Sequence, residues 1–245
     1  MRTSRIALAS AVGVIALGII VMVALVRVVI SGGSGSESSG SAARPAVARG
    51  TGTVATDLTG FSRIVVRNSW IVDVTRGPDW QVEFSYPDDR EGSLEASVEG
   101  DELTLASEDR GGPWRWWGGG GNELKAHITM PMLEGLEIQG AGSIEFAGFQ
   151  GGELRISIAG AGNVEGRRSE FDSLDLTVGG AANVQLNDVA VIDAHVDLSG
   201  ASNVELDMAG GELTGSLSGF GNLSYAGDVS DERVAVSGFG HVGRK

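Results

Sequence analysis

Polar residues that could do chemistry recur about every twenty residues in the C-terminal half of the chain. One set stands two positions after the Asn of a repeated Gly-x-x-Asn turn, and the other stands six to eight positions before it. The sets are Glu145, Glu165, Gln185 and Glu205, and Arg155, Asp175, His195 and Asp197. Stacked carboxylates could act as acid and base on a glycosidic bond or collect a divalent cation. The alternative interpretation is a solvated acidic face that Arg155 moderates.

Other candidate motifs lack the context that their chemistry needs. Gly238–Gly243 reads G-x-G-x-x-G after a predicted strand, but only two residues follow it, whereas a dinucleotide site needs a helix there. His127, His195 and His241 fall in different predicted coils, without a second His at ligand spacing. The absence of Cys excludes thiolate metal sites, disulfides and a Cys nucleophile. The sequence therefore predicts no catalytic residue, no cofactor and no metal ligand.

The elements that position the polar residues are copies of a repeat. Gly recurs at spacings of 20, 20, 20, 19 and 19 residues, as Gly140, Gly160, Gly180, Gly200, Gly219 and Gly238. Asn follows three positions later in four copies, as Asn163, Asn183, Asn203 and Asn222. Such a period signals stacked supersecondary units, and alternating apolar residues before each turn predict strands. We expect an all-β fold, a β-solenoid similar to a parallel β-helix, with coils of about twenty residues.

The recurring Gly and Asn have a structural explanation. Gly adopts positive φ freely, Asn tolerates it, and stacked Asn amides can hydrogen-bond along a column. We expect Gly160 and Gly200 to lie at positive φ or in crowded turns.

Two further columns of equivalent residues predict how the interior of the solenoid changes toward its ends. The position after the repeated Gly changes from Ala to Phe220 and Phe239, which predicts a wider interior in the last coils, with Gly215 making room for Phe220. Glu134 and Glu232 end an otherwise apolar column, as expected for terminal coils that face solvent.

Residues 54–130 show strands and turns with a poorer repeat. Alternating pairs such as Ile64 and Val66 are separated by turn sequences such as Gly77-Pro78. We therefore divide the solenoid, residues 54–245, into irregular coils at 54–130 and regular repeats at 131–245.

The N-terminus carries the pattern of a membrane segment. Residues 6–26 contain no charge and would span about 31 Å as a helix at ~1.5 Å per residue, which matches a bilayer core. Arg2 and Arg5 favour a cytoplasmic end at residues 1–5. We predict one transmembrane helix at residues 6–30, retained as an anchor or uncleaved signal, and a flexible Gly/Ser-rich linker at 31–53. The bulk of the chain would then lie outside the cytoplasm, in the periplasm or at the cell surface.

The charge of the remaining chain restricts its partners. Residues 51–245 hold 13 Lys and Arg against 31 Asp and Glu, a net charge of −18. Because phosphate binding needs clustered cations, such a surface repels nucleic acid.

One segment has an unusual composition. Trp114, Arg115, Trp116 and Trp117 stand together between glycine-rich flanks. Three Trp side chains left in water would form a large apolar patch. We expect them either to cover the solenoid as an apolar lid or to contact a partner, a glycan or the membrane interface.

Several phrases together resemble a known family. They are Phe61–Val66, Gly100–Leu105, Ile128–Leu133 and the repeated Gly-Ala-Gly-Asn-Val units. The chain resembles the head GIN domain family of putative auto-transporter adhesins, a bacterial β-solenoid domain without an assigned function, over about Thr56 to Gly243. The resemblance implies the β-solenoid fold, says little about function, and supplies no catalytic residues.

Two functions from different classes follow. The first is a non-enzymatic, membrane-tethered, extracytoplasmic β-solenoid that presents a binding or self-association surface, with an envelope protein, a glycan or a second copy as partner. The alternative is a glycan-active β-helix enzyme that uses the outward carboxylates.

Overall fold

The regular secondary structure is entirely β in the described part of the chain, which is residues 23–30, 52–86, 92–109 and 124–245 of a computed structural model. The strands there are β1 (Val23–Ile30), β2 (Gly52–Thr56), β3 (Arg63–Arg76), β4 (Gln81–Tyr86), β5 (Gly92–Glu99), β6 (Glu102–Asp109), β7 (Leu124–Met130), β8 (Gly135–Ala147), β9 (Gln150–Ile158), β10 (Ala161–Val178), β11 (Ala181–Ala209), β12 (Glu212–Asp228) and β13 (Asp231–Arg244). The all-β prediction is confirmed.

Strands β8 to β13 stack in parallel as the coils of a β-solenoid. Each residue pairs with the residue one repeat later, so that Asn163 lies beside Asn183 and Gly219 beside Gly238. The solenoid has about six turns. The predicted β-solenoid with coils of about twenty residues is therefore confirmed.

The core is a set of inward-facing apolar columns. Along one column the exposed fraction of each side chain is 0–2%, at Ile138, Ile158, Val178, Leu198 and Leu217. Alternating residues of the same strands point to solvent, because successive side chains of a strand face opposite ways. Period-two hydrophobicity therefore fixes which residues remain outside and available for contact.

Strand β3 is an additional regular coil that the sequence repeat did not reveal. It pairs in parallel with β8, and Asn68 occupies the corner position that Gly140 holds in the next coil. Asn68 adopts a φ of 69° there, a conformation that Asn tolerates better than most residues. On its other side β3 pairs with β6 and β7. These strands follow β3 in the sequence but lie beyond it in the stack, on the side away from β8.

The two ends of the solenoid differ. At the N-terminal end, β5 pairs antiparallel with β6, β4 pairs antiparallel with β7, and β2 pairs with β4. At the C-terminal end, β13 pairs with β12 along one edge. Among the described strands, none pairs with the other edge of β13. One end is therefore covered by antiparallel strands, whereas no described strand lies beside the outer edge of β13.

The predicted membrane segment falls only partly on described residues. Residues 6–22 lie outside them, as do residues 31–51 of the predicted linker. Val23–Ile30 forms β1, antiparallel to β5, so the structure shows a strand where the sequence predicted the end of a helix. The four β-branched Val residues of this stretch favour a strand. Within the described residues there is no helix that could span a bilayer.

Candidate functional site

The Asn residues of the repeat lie in a hydrogen-bonded column. The Asn183 amide donates to Asn163 Oδ1 at 2.9 Å, and the Asn203 amide donates to Asn183 Oδ1 at 3.2 Å. The Asn163 amide donates to Ser143 Oγ at 3.3 Å, and Asn222 lies next in register beyond Asn203. These amides bond to one another along the solenoid axis, so the column joins successive coils.

The repeated glycines lie where successive coils approach most closely. A Cβ on Gly160 would lie 2.0 Å from Gly140 O, and one on Gly180 would lie 2.0 Å from Gly160 O. Gly200 has the same crowding and a φ of 125°. The same close approach recurs at Gly219 and Gly238, and Gly140 lies against the backbone of Asn68. No side chain fits at these corners, which explains the recurrence of Gly.

The outward carboxylates are largely paired with arginines. Arg155 contacts Asp175 at 3.3 Å and Glu153 at 2.5 Å. Arg167 contacts Glu145 at 3.1 Å and Glu165 at 2.7 Å. These side chains are about one-third to one-half exposed, so each ion pair contributes little to stability. Each arginine is shared by two carboxylates, so it offsets half of their negative charge and engages them in contacts within the chain.

His195 and Asp197 form a small polar network on the same face. His195 Nδ1 lies 3.1 Å from Thr214 Oγ1, and His195 Nε2 lies 3.2 Å from Asp197 Oδ2. The Ser216 hydroxyl donates to Asp197 Oδ1 at 2.7 Å. This hydrogen bond, followed by the nearby His195, holds the pKa of Asp197 below its usual value. A glycosidase general acid needs a raised pKa, so Asp197 is suited to remain a carboxylate.

This polar face carries a shallow, open groove of about 440 Å³ between the stacked outward columns. Its acidic lining residues are Glu153, Asp175, Asp193 and Glu212. In the part of the chain that the structure describes, no three His, Asp or Glu side chains are arranged to hold a metal ion. His127 lies elsewhere, 3.1 Å from Asp73, and His241 is exposed on β13.

An exposed aromatic pair corrects one prediction. Phe220 and Phe239 are 65% and 80% exposed, and their rings stack at 5.4 Å between centroids and 12° between planes. The prediction that they fill a wider interior is wrong, because the position after each corner glycine points outward, as it does at Ala201. Gly215 does not make room for Phe220. It allows the backbone of Val196 to approach, since a Cβ there would lie 2.1 Å from Val196 O.

The open edge of the last coil is a second feature that the sequence did not reveal. Val236 is 46% exposed, whereas its neighbour Leu217 in the same inward column is 2% exposed. Val234 and Val242 are only half-buried. The available signal was the sequence Val234–Gly243, which contains no Lys, Arg, Asp, Glu or Pro. Interior apolar side chains are therefore left facing solvent beside the aromatic pair.

The tryptophan-rich segment, Trp114, Arg115, Trp116 and Trp117, lies outside the described residues. It connects β6 to β7, and these two strands flank the corner at which β3 carries Asn68.

Comparison with known proteins gives a family and a fold. Residues 60–190 match the family described as putative auto-transporter adhesin, head GIN domain. A putative adhesin from Bacteroides fragilis is similar in structure with a TM-score of 0.62 at 15% identity, over 81% of this chain and 99% of that one. No curated protein sequence matches this chain.

Two further solved structures are less similar. A putative adhesin from Parabacteroides merdae has a TM-score of 0.46 at 14% identity, over 80% of this chain and 96% of that one. A putative lipid binding protein from Parabacteroides distasonis has a TM-score of 0.45 at 15% identity, over 80% of this chain and 97% of that one.

Proposed function

Because the chain belongs to the putative auto-transporter adhesin head GIN domain family, we propose that it is a non-enzymatic binding protein of the bacterial cell envelope. It presents an adhesin-like contact surface on a β-solenoid outside the cytoplasm. The similarly folded Bacteroides fragilis protein is itself called a putative adhesin.

One observation carries this proposal. The polar outward columns bond mainly within the chain, whereas the stacked Phe220 and Phe239 and the half-exposed Val236 do not have their apolar surface covered. Clustered exposed apolar side chains in a soluble domain mark a contact site. The surface available for binding is therefore at the C-terminal end of the solenoid.

The proposal includes a membrane tether. It rests on the uncharged run at residues 6–22, which is still just long enough to cross a bilayer core. A fractionation experiment tests it: full-length protein should stay in the membrane pellet after a salt wash, with residues 51–245 open to protease added from the extracytoplasmic side. Recovery of soluble protein that lacks its first ~30 residues would instead identify a cleaved signal peptide.

An adhesion experiment tests the binding function. Bacteria that display the full chain are applied to arrays of envelope glycans and to layers of bacterial cells with the same type of envelope as the displaying strain. The number of bacteria retained on each surface is counted. Retention should fall for the double variant Phe220→Ser and Phe239→Ser, and it should persist for the matched outward change Ala181→Ser and Ala201→Ser. Equal retention with and without the displayed chain would refute an adhesive function.

The same arrays test the enzymatic alternative. Turnover would release reducing ends from a glycan, and it would be lost in the variants Glu145→Gln and Glu165→Gln. A binding protein leaves the glycan intact, and these two changes alter neither its retention nor its fold.

A further inference from the structure

The open edge of β13 has the sequence of a strand that pairs. Natural proteins protect an exposed edge strand with charges, proline, bulges or a covering segment. The N-terminal end of this solenoid is covered by antiparallel strands, whereas the central part of β13, Val234–Gly243, has no charged residue and no proline. Three inward apolar residues of this coil, Val234, Val236 and Val242, stay partly exposed. We infer that a second copy of this chain covers this edge, tail to tail, by antiparallel pairing of β13 with itself. This inference rests on the proposed binding function, for which it names the partner.

The direction of pairing follows from the geometry of a solenoid. When two copies meet by their last coils, a two-fold axis perpendicular to the solenoid axis relates them. The two facing coils then run in opposite directions, so their strands pair antiparallel. The interface is isologous, which means that each residue contact occurs twice.

The corner of the coil fixes where the axis passes. Gly238 stands at the corner of β13, at a φ of 142°, with seven residues on each side from Asp231 to Lys245. We place the two-fold axis at Gly238, because this register stacks the Gly238 corner of one coil on the same corner of the other.

This register keeps the inward columns continuous across the interface. Inward positions of β13 carry even residue numbers on both sides of the corner, because their β12 neighbours Leu213, Leu217 and Leu223 are buried. Antiparallel pairing centred on Gly238 places even residues opposite even residues. Val234 then lies opposite Val242 of the other copy, and Val236 lies opposite Gly240, which has no side chain to collide with it.

The outer ends of the same register bring opposite charges together. Asp231 lies opposite Lys245, and Glu232 lies opposite Arg244 of the other copy, and symmetry repeats both pairs. Glu232 and Arg244 stand in columns that carry Leu213 and Tyr225 in the coil before, so charge replaces buried residues at the positions that would face the partner. Phe239 lies diagonally across from its own copy, within reach of an aromatic side chain.

Complementary charge variants test this pairing directly. In Glu232→Arg, both positions of the Glu232–Arg244 pair become positive, and in Arg244→Glu both become negative. Each variant alone should repel itself, whereas a mixture of the two restores opposite charges across the interface. A contact within one chain cannot produce such rescue on mixing.

The measurement uses the full chain in detergent micelles, with mass determined by sedimentation. We expect a dimer for the wild type, at least tenfold weaker association for each variant alone, and association restored to within a few fold in the equimolar mixture. The control Glu170→Arg changes an exposed residue in the middle of the solenoid and should leave the dimer intact. Melting curves establish that each variant is folded, since Glu232 also accepts a hydrogen bond from Tyr225 and Arg244 pairs with Asp228.

Three results would overturn the inference. The first is a wild type that stays monomeric at every concentration from a millimolar stock down to its 100-fold dilution. The others are folded variants that dimerise as well as the wild type, or a mixture that remains monomeric. The two proposals fail separately. A monomer that still adheres to the envelope refutes the tail-to-tail pairing alone, and a dimer that adheres to nothing refutes the envelope-binding function alone.

Discussion

The substitution Gly180→Ala tests whether the repeat exists to bring the coils together at their corners. A Cβ at Gly180 would lie 2.0 Å from Gly160 O and 2.9 Å from Gly160 C. Gly180 does not have a positive φ, so alanine is not disfavoured by its backbone conformation. The effect of the change is therefore crowding alone.

The magnitude follows from the hydrogen bonds at this corner. Relieving the clash requires the coils to separate locally by more than about 1 Å, since an ordinary carbon–oxygen contact is at least ~3.4 Å. Gly160 O accepts a hydrogen bond from Ala181 N at 2.9 Å, and the Asn183–Asn163 bond lies beside it. Weakening these two partly exposed hydrogen bonds costs ~0.5–1.5 kcal/mol each, and the lower entropy of the unfolded alanine chain offsets ~0.4–1 kcal/mol. We expect a net destabilisation of about 1 kcal/mol.

The adjacent glycine provides a matched control. A Cβ on Gly179 would meet its nearest atom, Ile158 O, at 3.9 Å, an ordinary contact. Gly179→Ala should therefore be neutral or stabilising by up to ~1 kcal/mol, whereas Gly180→Ala should lower the melting temperature by roughly 2–4 °C. Urea midpoints followed by tryptophan fluorescence and melting curves measure both variants. Equal stability of the two would show that the corner does not require glycine.

Three further predictions concern individual side chains. Ser216→Ala removes the hydrogen bond that lowers the pKa of Asp197. The variant should be less stable than the wild type at pH 7, and this difference in stability should vanish as the pH falls below about 4. Urea midpoints at several pH values measure the difference. Glu232→Ala removes the hydrogen bond that, with burial, raises the pKa of Tyr225 above 10.0. Ultraviolet titration should show Tyr225 ionising at lower pH in the variant. Above pH 10 the stability of the variant should fall less steeply than that of the wild type. Trp116→Ala should lower the free energy of unfolding by ~3–5 kcal/mol if the tryptophan-rich segment is a lid, and should abolish association at unchanged stability if the segment is a contact. A variant that changes neither stability nor association refutes a role for the segment.

The regular coils could be predicted because each repeats the same local requirement. Gly160 and Gly180 stand where no Cβ fits, and Asn163 and Asn183 bond to each other, so close stacking leaves a mark in every copy. Such requirements depend on a residue and its equivalent one coil away. They can therefore be read from a period without knowledge of the whole fold.

Features that depend on distant parts of the chain could not be predicted in this way. Asn68 replaces the corner glycine, which concealed the coil formed by β3, and the pairing of β3 with both β6 and β8 joins segments far apart in sequence. The outward direction of Phe220 was missed for a different reason. Inward positions keep odd numbers through the corner, from Leu217 to Leu223, so the alternation places Phe220 outside, and only its hydrophobic character suggested an inward position.

The difference between the two ends of the solenoid leads to a last prediction about how the protein would act at a membrane. The chain joins the sheet through β1, which pairs with β5 at the covered end, and about six turns at ~4.8 Å separate this end from β13 by roughly 30 Å. With the proposed tether, the open edge is thus directed away from the membrane. A tail-to-tail dimer would place its two tethered ends roughly 60 Å apart, on opposite sides, which suits a bridge between two membranes better than a pair within one.

Vesicles that carry the complementary charge variants distinguish these arrangements. Vesicles with Glu232→Arg and vesicles with Arg244→Glu should each stay dispersed, because like charges meet at the edge, and should cluster within minutes of mixing, as measured by light scattering. Vesicles that carry the control variant Glu170→Arg should cluster without mixing, and so should vesicles that carry the wild type. If the two variants associate in detergent but their vesicles do not cluster, the copies pair within one membrane, and the orientation argued from the covered end is wrong.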